Sequence, residues 1–247
     1  MKSRGVIMIC CLGVLSASCG SASDNRSPHE LLALSVSGLS SVDRYTFTGE
    51  TGIGMGAGGE GIATTFQGTV ENHDDVQLRA SDAGVLAQGL HPLKLLSQVE
   101  STALKTELEA DKSGGRTAVL RITADPKQAA NMWANKLRGE FDRLENTTPG
   151  QLNVKLQSKQ AVKAETQGSS SLDKAWRQEL AKSKEELNAM LSTLTVQTTY
   201  RLVIDRKKLL PLAMEEYTLL HFTSRGQRAE ESHRTKLSFK RTDGGNL

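Results

Sequence analysis

From Val196 to Phe239, apolar and polar residues alternate through three successive runs, and this period of two constrains the fold more than any other feature of the chain. Val196, Thr198, Tyr200, Leu202 and Ile204 share one phase of the first run. Leu212, Met214, Glu216, Thr218, Leu220 and Phe222 share one phase of the second, and Thr235, Leu237 and Phe239 that of the third. A strand turns successive side chains to opposite faces, so such runs belong to a sheet with one covered face. The residues between them, Asp205 to Lys208 and Arg225-Gly226-Gln227, are turn formers. The spacing therefore predicts a three-strand antiparallel meander, with Pro211 at the start of a strand, where its missing N–H is tolerated.

Upstream, strand and helix signals intermingle. Ser27, Pro28 and Glu30 form a capped helix start, with Leu31, Leu34 and Leu39 as its apolar face. Tyr45, Phe47, Gly49 and Thr51 alternate as a strand, and Ile62 to Val70 reads as its return. The glycine-rich interval Gly52 to Gly61 joins them as a hairpin loop. Its Gly56, Gly58 and Gly61 match a dinucleotide fingerprint in spacing, but a strand follows where a fingerprint opens a helix. Asn72, His73, Asp74 and Asp75 make a polar turn before a strand at Val76, Leu78 and Ala80, and Val85-Leu86 extends it.

His91-Pro92 to Val99 suggests one or two helical turns, and Thr102 to Thr123 a β-hairpin. Asp125, Pro126 and Gln128 repeat the cap signature ahead of Ala130, Trp133, Leu137, Phe141 and Leu144 at helical spacing. That face predicts a helix with Trp133 and Phe141 in the core. Val154 and Leu156 allow a short strand, and a second long helix is expected from Ser171 through Trp176, Leu180, Leu187 and Leu191. The expected organisation is one α+β domain over 27–247 with a helical section at about 125–195.

The leader fixes where such a domain would work. Lys2 and Arg4 precede an uncharged apolar run, Gly5 to Leu15, and then Ser16, Ala17, Ser18 and Cys19. This is the layout of a secretory signal, too short to span a bilayer, for which a helix needs about 20 apolar residues. The small residues before Cys19, with Leu15 upstream, resemble the lipobox of bacterial lipoproteins. The resemblance implies cleavage after residue 18, a diacylglyceryl group on Cys19, palmitate among its acyl chains, and a flexible tether over 19–26. It places the protein on the outer face of the cytoplasmic membrane, or in the outer membrane of a diderm host. Cys10 and Cys11 lie within the leader, so no internal disulfide could form after cleavage.

Tyr200, Leu202, Ile204 and Asp205 leading to Leu209-Leu210-Pro211, preceded by Tyr45-Thr-Phe-Thr-Gly49 and Phe66-Gln-Gly68, resemble lipoproteins and lipoprotein carriers of the LolA/LppX type. The resemblance implies a curved antiparallel sheet, a half-open barrel covered by helices, whose concave face holds acyl chains. Tyr45, Phe47, Phe66 and Tyr200 are then the residues expected to line the ligand.

The chemistry-bearing residues support no enzyme. The chain holds no P-loop, nucleophile elbow or HExxH motif, and His29, His91, His221 and His233 are scattered. His73 beside Asp74 and Asp75 lacks a second ligand cluster, so neither a metal nor another cofactor is expected. Glu215-Glu216 and Glu230-Glu231 send their members to opposite strand faces. A net charge of +3, of which Lys2 and Arg4 supply two, argues against nucleic acid. The expected function is a membrane-anchored, non-catalytic binding module for a lipid or other apolar ligand. The alternative is an anchored interaction, sensing or assembly protein that meets an envelope protein through its helical section.

Overall fold

The computed structural model describes residues 26–55, 61–80, 90–146 and 169–241. The expected leader, Cys19, the expected tether, the strand readings at Val85-Leu86 and Val154-Leu156 and the centre of the glycine-rich interval lie outside the described residues. The element order is α1 (Pro28–Ser40), β1 (Tyr45–Met55), β2 (Ile62–Glu71), β3 (Asp75–Ala80), α2 (Pro92–Thr102), β4 (Ala103–Leu108) and β5 (Thr117–Ala124). Then come α3 (Pro126–Glu145), α4 (Ser169–Ser192), β6 (Thr195–Asp205), β7 (Leu210–Ser224) and β8 (Gln227–Arg241). All eight strands join one antiparallel sheet in the order β3-β2-β1-β8-β7-β6-β5-β4, which is not closed into a barrel. The molecule is thus an α+β protein with helices covering its sheet.

Local chemistry starts the helices as the sequence indicates. Ser27 Oγ accepts the Glu30 N–H at 3.1 Å and Asp125 Oδ1 the Gln128 N–H at 2.8 Å, each with Pro following. His91 caps α2 in the same manner: its Nδ1 accepts the Lys94 N–H while Nε2 meets Asp74 Oδ1 at 2.7 Å. α2 starts at Pro92 as expected and runs on to Thr102, eleven residues rather than one or two turns. Leu31, Leu32, Val36 and Leu39 of α1 and Leu96 and Val99 of α2 bury against the sheet, whereas Leu34 is only half-buried. Gly38 brings α1 against the β6–β7 turn, since a β-carbon there would overlap the Leu209 carbonyl.

On the covered face, Phe47 pairs with Gly68 and Gly49 with Phe66 across β1 and β2. Each phenyl ring lies over the glycine of the neighbouring strand, and the two rings meet edge-on at 6.3 Å between centroids. Burying side chains of this size contributes about 1.5–3 kcal/mol each. The core is completed by Tyr45, Leu120, Ile122, Leu202, Ile204, Met214, Leu237 and Phe239.

The long helices behave differently from the sequence expectation. α3 and α4 lie in the connection between β5 and β6, strands that are neighbours in the sheet. α4 begins at Ser169, two residues earlier than expected. Of the twenty residues of α3 only Ala129 is fully buried; Trp133 and Phe141 are half-buried and Leu144 is 40% exposed. Trp133 packs on the edge of the core, while Phe141 lies under Lys184 of α4. The apolar stripe of α3 is divided between the covered face near β6 and the junction with α4, so it is not a second core.

Candidate functional site

The strand register lines up side chains across the covered face in rows, and two adjacent rows differ in chemistry. Phe66, Gly49, Leu237, Met214, Leu202 and Leu120 make one, which is apolar throughout. The next is Thr64, Thr51, Thr235, Glu216 and Tyr200, a polar row across β2, β1, β8, β7 and β6. Ile122 and Thr106 continue it to the edge strand β4. Beyond this, Ile53, His233, Thr218 and Thr198 form a third row.

Within this band Thr51 and Thr235 share a hydroxyl hydrogen bond of 3.0 Å. Thr218, fully buried, donates to Glu216 Oε1 at 3.1 Å and is 2.9 Å from the Thr198 hydroxyl, so Thr198 is the donor to Thr218. His233 Nε2 lies 2.5 Å from Glu231 Oε1, and its ring rests against Trp133 of α3 at 4.4 Å between centroids. Lys136, one turn further along α3, places its ammonium over the Trp133 ring at 4.7 Å. The polar band therefore lies under α3.

Burial pushes the Glu216 carboxyl above the ordinary carboxylate range, against the Thr218 hydroxyl and the charges of Lys136 and His233, which pull it down. Burial, and after it the charge of Glu216, raises the phenol of Tyr200. Tyr200 is 3% exposed, and its hydroxyl bonds no described residue. Tyr45 Oη, Thr106 Oγ1 and Trp176 Nε1 are the buried side-chain atoms without a hydrogen-bond partner among the described residues. Buried polar groups in folded proteins are nearly always paired, so these orphans call for an explanation.

Tyr45, Phe47, Phe66 and Tyr200 all fall on the covered face and are at most 4% exposed, within one apolar cluster. Cys19 lies outside the described residues. Glu216, Thr235, Thr51, Thr64 and His233 were not singled out by the sequence reading. The signal was present: Glu216 and Thr218 hold the apolar phase between Met214 and Leu220. Each Glu pair does split between faces, but Glu216 and Glu231 share the covered one. Glu215 and Glu230 face away, paired with Arg234 and His221.

On the opposite face a cleft of about 590 Å³ spans β3, β2, β1 and β8, lined by Thr48, Glu50, Thr65, Gln67, Arg79, Lys236 and Ser238. Its lining side chains are exposed. Among the described residues no three His, Cys, Asp or Glu side chains converge for a metal, and no helix is long and apolar enough to cross a membrane.

Fold and site together define an α+β protein with an open antiparallel sheet, one face of which carries an apolar floor and a polar band beneath a lightly buried helix. No protein-family model matches the chain, and no curated protein matches it.

Proposed function

We propose that the chain is a membrane-anchored extracytoplasmic lipoprotein whose folded part is a non-catalytic binding module for a lipid or other apolar ligand. In this reading the open sheet is a LolA/LppX-like half-barrel, Cys19 carries the diacylglyceryl anchor, and Tyr45, Phe47, Phe66 and Tyr200 form the wall met by acyl chains. The observation that carries it is the division of labour on the covered face. A broad apolar floor is roofed over β6 by a twenty-residue helix with one fully buried residue. A helix that buries so little against an apolar sheet is held weakly enough to lift away. Two acyl chains on Cys19 suffice for stable anchoring, at about 0.8 kcal/mol per buried methylene.

A second reading, contact with an envelope protein through α3 and α4, is favoured by the same exposed helical surface, including Leu144. Intact-mass measurement and organic extraction of protein purified from host membranes, beside Cys19→Ala, separate the two. Binding-module function predicts a diacylglyceryl mass that is lost in Cys19→Ala, together with stoichiometric lipid released from the domain. An anchored but empty domain favours the protein partner, and an unmodified Cys19 removes the lipoprotein assignment.

A further inference from the structure

The polar row of the covered face is only half satisfied. Thr51 and Thr235 bond each other, but Glu216 has the Thr218 hydroxyl as its one hydrogen-bond donor among the described residues. The Tyr200 hydroxyl has no described partner, and Thr106 leaves its hydroxyl buried and unpaired. The inward carboxylates Glu216 and Glu231 have no Lys or Arg nitrogen within 4.0 Å among the described residues; Glu231 is held by His233 alone. A folding core gains nothing from such a row, since apolar residues of the same shape would pack there without a desolvation penalty. Acceptors dominate it: the Glu216 carboxylate and a chain of hydroxyls, flanked by His233 and the indole of Trp133, with Glu231 two residues beyond His233 on β8.

We propose that this row seats the cationic, hydrogen-bond-donating head of an amphipathic ligand, an acyl or alkyl chain ending in an ammonium. The inference rests on the apolar-ligand reading above and adds the head-group chemistry to it. The tail would lie over the apolar row from Phe66 to Leu120, whose five side chains are at most 4% exposed, so its entry requires the covering helices to part. The ammonium would lie at the Glu216 carboxyl, beside His233 and Trp133, where a charge-assisted hydrogen bond is strongest and an aromatic face adds a cation–π attraction. Lys136, an exposed side chain reaching over Trp133, is the resident cation that the head would displace. An anionic head would meet the Glu216 carboxylate and be repelled.

The test compares three probes with one tail, hexadecylamine, hexadecanol and palmitate, binding to the whole chain as Cys19→Ala, which carries no acyl group of its own. The emission of Trp133 and Trp176, the only two tryptophans, reports binding. The expected order is amine, then alcohol, then palmitate, with the amine about tenfold tighter than the alcohol, as one charge-assisted hydrogen bond warrants. Glu216→Gln is expected to bring amine and alcohol within about twofold of each other while the alcohol is unaffected; Glu231→Gln should give a smaller loss in the same sense. Equal affinities for the three heads, or an amine preference that survives both variants, overturns the head-group assignment and leaves the binding module standing. If none of the probes binds, the binding module falls as well.

Discussion

Glu216 and Asp205 are both carboxylates with shifted pKa values, and the shifts run in opposite directions with opposite consequences for stability. Burial raises Glu216, so its folded pKa exceeds the unfolded one and the folded state holds its proton more tightly. Its stabilising contribution is complete below the unfolded carboxyl pKa and is lost as pH rises through the folded value. Glu216→Gln should therefore raise the Tm at pH 7.5 by a few degrees and leave it nearly unchanged at pH 4, by calorimetry. A residue whose replacement stabilises the fold is one the fold does not require.

Asp205 is 1% exposed, and burial alone would raise it too. The Lys208 N–H, the Arg116 guanidinium and the Lys207 N–H outweigh burial and hold it below the ordinary range, the two amides at 2.9 Å and the Arg116 Nε at 3.3 Å. Its contribution is present above the unfolded pKa and is lost as pH falls through the folded one. Asp205→Ala should cost about 1–3 kcal/mol at pH 7 by urea denaturation. The difference from wild type should shrink as pH is lowered; a constant difference down to pH 2 would mean that the β6–β7 turn does not depend on the charge.

At the scale of elements, the β1–β2 pair shows how much packing depends on residues with no side chain. Phe47 over Gly68 and Phe66 over Gly49 fill the two gaps of one register, and a methyl group at either glycine collides with a ring. Gly68→Ala should destabilise by about 1–3 kcal/mol in urea, through a displaced Phe47, although alanine favours most backbones over glycine. A neutral result would show that Phe47 has room to move, and with it the wall assigned to the ligand. These strands, the caps at Ser27 and Asp125 and the C-terminal meander were legible because each is written in neighbouring residues. The depth of α3 was not: its stripe from Trp133 to Leu144 has the same period whether it is deeply or lightly buried. Only the placement of β6 and α4 shows that its burial is light.

At the scale of the molecule, α3 and α4 are an excursion between two strands that already pair, Thr123 lying opposite Thr199. Most of the core belongs to the sheet, α1 and α2, and Ala129 is the one α3 residue fully within it. Replacing residues 126–194 with a short turn is therefore expected to leave a cooperatively folding sheet, seen by far-ultraviolet circular dichroism, with the polar row and its apolar neighbour open to an apolar dye. Loss of the sheet would show that the helices are structural members and would weaken their role as a movable cover.

The sequence by itself determined what depends on short spans: alternation gave the strands, side-chain acceptors before Pro gave the helix starts, and the glycine-rich interval marked the first hairpin. Its leader-like start and Cys19 are what the lipoprotein proposal rests on. Tertiary structure alone decided which polar residues meet. Thr64, Thr51, Thr235, Glu216 and Tyr200 come from five strands, and no interval along the chain relates them. Register relates them, and register is set when the apolar phases of these five strands are buried together, because a slip of one residue would turn a strand's apolar phase outward.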